Sequence, residues 1–105
     1  MSGKSRKQQI EEMLADDPND PFLRYGLAME YVSAGQDEEA ALCFQDLLRA
    51  APDYVPGYMQ AARTLERLNR VEEARALYQS GIAAARLKGD QHAAEEMTGF
   101  LDGLN

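Results

Sequence analysis

Pro18 and Pro52 stand 34 residues apart, and that interval returns along the chain. It separates Gly35 from Asn69, Ala40 from Ala74, Phe44 from Tyr78 and Leu48 from Ile82, and it carries Glu38-Glu39-Ala40 onto Glu72-Glu73-Ala74. Self-similarity at one fixed period restricts a chain to architectures in which like units stack on one another. Each unit's apolar face is closed by its neighbour, and the stack presents an extended concave surface whose expected work is holding another protein.

Local signals say what each unit is made of. Asn19 or Asp20 can cap a helix that opens on Pro21, where the missing N–H costs nothing. Leu23, Leu27, Ala28, Tyr31 and Val32 then follow helical spacing, and Gly35 supplies a left-handed end. Asp37 is expected to cap the next helix, with Glu38 and Glu39 favourable in its first turn. That helix carries Ala40, Ala41, Leu42, Phe44, Leu47 and Leu48 and stops at Ala51-Pro52-Asp53. The plan repeats: a helix from near Asp53, a turn at Asn69-Arg70, a helix through Ala74, Leu77, Tyr78 and Ile82, and a break at Gly89-Asp90. Asp90 can cap a closing helix through Met97, Phe100, Leu101 and Leu104. Upstream, Ile10, Met13, Leu14 and Pro18 lie one period before Phe44, Leu47, Leu48 and Pro52, so the chain opens with the second helix of a unit. The expectation is six helices and an all-α superhelix of stacked antiparallel hairpins. As one domain over 1–105, it divides into a half-repeat at 6–20, full repeats at 21–54 and 55–88, and a capping helix at 90–104.

At 105 residues the chain suffices for one small domain. A formal net charge of −7 opposes phosphate backbones and anionic bilayers, so neither nucleic acid nor membrane is expected as a partner. Arg63, Arg67 and Arg70 form one basic stretch, without the interleaved aromatics of an RNA surface. Cys43 is the single cysteine, which excludes an internal disulfide and fits a reducing compartment. The polar, basic start from Met1 to Lys7 leads into no apolar stretch that would serve as a leader, and a cytoplasmic protein is expected.

The units resemble the tetratricopeptide repeat family, whose pattern sets bulky, Leu-Gly or Leu-Ala, Tyr, Gly, Ala, Phe, Ala and Pro positions at fixed distances. Residues 21–54 supply Leu27-Ala28, Tyr31, Gly35, Ala40, Phe44, Leu47-Leu48 and Pro52. Residues 55–88 supply Tyr58, Ala61-Ala62, Leu65, Asn69, Ala74, Tyr78 and Gly81-Ile82. The second unit departs at Leu65 and at Arg86, which stands where proline would. The small residues Ala28, Ala40, Ala62 and Ala74 would let paired helices approach, and Tyr31, Phe44, Leu65 and Tyr78 would fill the gaps between pairs.

The resemblance implies that the first helix of each unit lines a concave groove. The groove would comprise Phe22, Tyr25, Met29 and Val32 from one unit and Met59, Arg63, Glu66 and Arg67 from the next. An apolar floor beside two arginines suits a protein or peptide with bulky apolar residues and a carboxylate. The expected function is therefore that of a non-catalytic adaptor, with a homo-oligomer or obligate subunit using the same stripe as the alternative. The family's carboxylate clamp needs a lysine and two asparagines, and Tyr25, Met29 and Gln60 occupy the matching places, so that partner class is excluded. No metal, cofactor or catalytic residue is expected. His92 and Glu96 have the i, i+4 spacing of a ligand pair but read as a solvated face. Cys43, between Leu42 and Phe44, reads as a partly buried small apolar residue.

Overall fold

A serine or an aspartate side chain caps the first, second and last helices. In the computed structural model, which describes residues 3–104, α1 (Arg6–Asp16) opens on a capping box. The Ser5 hydroxyl accepts the Gln8 N–H at 3.1 Å while the Gln8 side chain accepts the Ser5 N–H at 2.9 Å. In α2 (Pro21–Ser33) the Asp20 carboxylate accepts the N–H groups of Phe22 and Leu23 ahead of the first-turn proline. Then follow α3 (Asp37–Ala50), α4 (Val55–Arg67), α5 (Val71–Leu87) and α6 (Gln91–Asp102). Asp90 caps α6 by accepting the Ala93 N–H.

Two boundaries differ from the sequence expectation, and a third, the end of α5 before Gly89, agrees with it. Asp37 is the first residue of α3 and not its cap, because its carboxylate turns across the stack to Arg67; Gln36 takes the cap position without a side-chain bond. Helix α4 begins at Val55, with Tyr54 as its cap, two residues beyond Asp53. With Arg86 in place of proline nothing interrupts α5, which runs 17 residues against the 14 of α3.

Helices α2, α4 and α5 end in one way. Gly35 (φ 74°), Asn69 (φ 60°) and Gly89 (φ 74°) are left-handed, and each folds its following N–H back onto the helix. Gln36 N–H reaches Tyr31 O at 2.9 Å, Arg70 N–H reaches Leu65 O at 2.8 Å and Asp90 N–H reaches Ala85 O at 2.8 Å. These bonds satisfy carbonyls that the helix end would otherwise leave unpaired.

Packing alternates along the chain: α2 lies against α3, α4 against both α3 and α5, α6 against α5, and α1 against α2. The result measures 47 × 29 × 20 Å. Ile10, Phe44 and Tyr78, one period apart, are all buried. Ala28, Ala40, Ala62 and Ala74 are fully buried at the close approaches, as their size requires. Met13 is exposed although Leu47, one period on, is fully buried, since α1 packs mainly on α2 and no helix precedes it in the stack of described residues.

Equivalent positions sometimes keep an interaction while changing the residue. Arg24 Nε donates to Pro18 O at 2.7 Å, and one period later the Tyr58 hydroxyl donates to Pro52 O at the same distance. Both tie the first helix of a unit to the turn that precedes it. Elsewhere the sizes reverse. Leu47 and Leu48 of α3 reach into the space left by Gly57 of α4, whereas in the next pair Gly81 of α5 makes room for Tyr58 and Met97.

Candidate functional site

Of the four apolar residues expected on α2, only Phe22 is fully in solvent, with 69% of its surface exposed. Tyr25, one turn on, is half-buried, its ring centroid 6.3 Å from that of Phe44 and 5.5 Å from that of Tyr54. Burial, and then the neighbouring Tyr54, holds its phenol pKa above the ordinary value. Met29 and Val32 also pack partly on the core of Phe44 and Leu47. Phe22, Tyr25 and Met29 share a helix face by their spacing, so an exposed aromatic adjoins two half-exposed apolar side chains.

The α4 residues are already engaged within the protein. Met59 packs partly on the α4–α6 core. The Arg63 guanidinium stands 4.4 Å from the Phe100 ring centroid, and that ring stacks on Tyr78. Glu66 accepts a short hydrogen bond from the Tyr78 hydroxyl. Burial first, then this bond to a carboxylate, pushes the Tyr78 pKa far above that of an ordinary tyrosine. Arg67 grips Asp37 with two N–H groups at 3.1 Å each, and donates a third bond to the buried Thr64 hydroxyl at 3.0 Å. The structure therefore brings Phe22, Tyr25 and Met29 together as a face, and ties Glu66 and Arg67 to α5 and α3.

Sequence reasoning missed a second feature on the other layer of helices. Between α3 and α5 runs a cleft of about 390 Å³. Ala41, Leu42 and Leu48 form one wall, Ala76 and Leu77 the other, and Ala61 and Leu65 of α4 the floor. Leu42 is 63% exposed at the rim. Arg70 bars one end, bonded to Glu73 at 2.7 and 2.8 Å and lying 3.7 Å from Glu38 across the opening. The Arg70–Glu73 bond raises the arginine pKa and lowers that of the glutamate. The readable signal was the departure at Leu65. One period earlier stands Tyr31, and Ala61 likewise replaces Leu27. In the matching seam between α1 and α3, the Tyr31 ring packs partly on the α2–α3 core, and Lys7 Nζ covers it 4.5 Å from the centroid.

The candidate chemical groups sit apart. Cys43 is half-buried beside Phe44, and burial pushes its thiol pKa up, away from the reactive thiolate. His92 is exposed on α6, its Nε2 3.6 Å from a Glu96 oxygen. Among the described residues no three metal-ligating side chains are grouped, and no helix is long and apolar enough to cross a membrane.

Helical hairpins stacked at a 34-residue period define a helical-repeat protein. The particular kind follows from relatives. The chain is 33% identical over 96 residues to a tetratricopeptide repeat-containing protein of Pseudomonas aeruginosa, covering 91% of each. It is 35% identical to a tetratricopeptide repeat domain protein of Salinibacter ruber, whose crystal structure superposes with a TM-score of 0.76 over 82% of this chain and 99% of that one. A protein of Bordetella parapertussis with a structure solved in solution reaches a TM-score of 0.80 at 28% identity, over 94% of this chain and 86% of that one. A scan against protein-family models finds no match. The chain belongs to the tetratricopeptide repeat proteins, a family of all-α helical repeats that generally act in protein–protein interaction and are generally non-catalytic.

Proposed function

We propose that the protein is a non-catalytic adaptor that holds a peptide or helical segment of another protein on the face of α2 and α4. The observation that carries this is Phe22, a large aromatic side chain in solvent beside Tyr25 and Met29. Burying such a ring under a partner contributes about 1.5–3 kcal/mol. Aromatic residues, methionine and arginine are also the types that interfaces favour. In this reading Met59 and Arg63 extend the face, while Val32, Glu66 and Arg67 hold its shape. We divide the chain into a half-repeat at 6–20, repeats at 21–54 and 55–88 and a capping helix at 90–104, and we assign it to the cytoplasm.

The test is affinity capture from native lysate with the wild type and Phe22→Glu as paired baits. Phe22 is exposed, so the substitution leaves the core intact, and circular dichroism checks this. A partner held by the wild type and lost by Phe22→Glu supports the α2 face. Equal capture by both baits moves the site elsewhere. Recovery of the protein alone, with a concentration-dependent mass that Phe22→Glu abolishes, replaces the adaptor with a homo-oligomer. Substituting Cys43→Ser and His92→Gln should leave capture unchanged.

A further inference from the structure

We propose that the cleft between α3 and α5 is a second docking site. Its occupant is a peptide segment that presents one aromatic or leucine-sized side chain next to a lysine or arginine. The protein itself supplies the pattern. In the first seam the inter-helix space holds the Tyr31 ring with the Lys7 ammonium above it. One period later the ring is cut to Leu65, the supporting Leu27 to Ala61, and the covering Lys7 to Ala41. What the first seam contains and the second lacks is one aromatic side chain and the cation that covers it.

The charges around the cleft agree. Lys4, one period earlier in sequence, is replaced by Glu38 at the cleft. Glu38 and Glu73 share the single guanidinium of Arg70, which leaves one negative charge in excess at the closed end. A cation entering with the occupant would meet Glu38, whose side chain is mostly exposed and whose contact with Arg70 is loose at 3.7 Å. The walls are apolar along their length, and a cleft of this volume falls in the range that buries ligand side chains. Phe22 and the other α2 residues are not among its lining, and the site works independently of them.

Panning a displayed random-peptide library against the full chain tests the idea. The enriched peptides are expected to pair an aromatic residue or leucine with lysine or arginine. Their binding should weaken about tenfold or more on Leu65→Tyr, which fills the cleft from its floor, and on Leu42→Glu. Leu42 is exposed, so that variant stays folded even if Leu65→Tyr does not. Phe22→Ala should leave binding unchanged. The proposal is overturned if no peptide is enriched, if the enriched peptides lack a basic residue, or if Leu42→Glu binds them as well as wild type does. It is also overturned if the cleft is closed by a second copy, seen as self-association that Leu42→Glu abolishes.

Discussion

The two seams of the stack share a register and are filled differently. Over α2, Tyr31 and Lys7 occupy the space between α1 and α3; over α4, Leu65 and Ala61 leave an open cleft between α3 and α5. The same contrast runs through the core. Val32 and Phe44 make an apolar pair in the first unit, and one period on Glu66 and Tyr78 make a hydrogen-bonded one. Leu47 fills the space of Gly57, and then Gly81 yields to Tyr58 and Met97. The period therefore fixes where helices lie, through caps and small residues, while the side chains between them are free to trade size and polarity as long as each trade has a partner. A seam without that compensation is where an outside group can enter.

The reversal of large and small residues offers the strongest way to break this comparison. A Cβ at Gly81 would lie 2.6 Å from Tyr58 Cβ and from Met97 Sδ, and the first of these cannot swing aside. Gly81→Ala should cost about 1–3 kcal/mol through overpacking. At Gly57 the added methyl meets the ends of Leu47 and Leu48 at 3.0 and 3.1 Å, and the Tyr54 ring at an ordinary contact distance of 3.6 Å. There the gain of about 1 kcal/mol from replacing glycine within a helix offsets the crowding, so Gly57→Ala should be close to neutral. Urea midpoints of the two variants decide; a costlier Gly57→Ala would show that the pairing of large and small is misassigned.

Much of the fold was legible because it rests on local signals. Asp20-Pro21, Gly35, Asn69 and Asp90 each act within a turn of their own position, and all four do what their chemistry dictates. The capping box of Ser5 and Gln8 is equally local, although no cap for the first helix is read from the sequence. Asp37 misled for the opposite reason: its partner, Arg67, lies 30 residues away and outcompetes the cap. The candidate groove was legible in part. Helical spacing finds Phe22, Tyr25 and Met29 on one face, but no spacing rule reveals that Glu66 serves Tyr78 or that Arg63 covers Phe100. The cleft needed the three-dimensional placement of α3 and α5, although its cause, leucine where the family pattern has tyrosine, was visible at Leu65.

The polar pair of the second unit can be converted to the apolar pair of the first. Tyr78→Phe alone leaves the half-buried Glu66 carboxylate without its donor and should cost about 1 kcal/mol. Adding Glu66→Val restores the composition of Val32 and Phe44 and should recover most of that loss in a double-mutant cycle. The same pair controls alkaline stability. The Tyr78 pKa is raised in the folded state, so its contribution is complete below the unfolded value of about 10 and declines as pH rises above it. The double variant should therefore lose less stability above about pH 10 than wild type. Some decline remains, since burial also raises Tyr25, Tyr54 and Tyr58. Identical alkaline profiles would mean that neither burial nor the Glu66 bond shifts the Tyr78 hydroxyl in solution.

The smallest effect is expected from exchanging the seams themselves. Tyr31→Leu opens the first seam and removes the contact with Lys7; loss of the half-buried ring should cost about 1 kcal/mol. Leu65→Tyr places a ring in a space that already exists, so it should cost nothing measurable or give a gain of a few tenths of a kcal/mol. The sign of the difference carries the information. If Leu65→Tyr is neutral or stabilising, the cleft is real space in the folded protein, and the chain forgoes a ring that would fit there. If it is as destabilising as Tyr31→Leu, then α3 and α5 close over Leu65 in solution, the second seam is as tight as the first, and the contrast between them disappears.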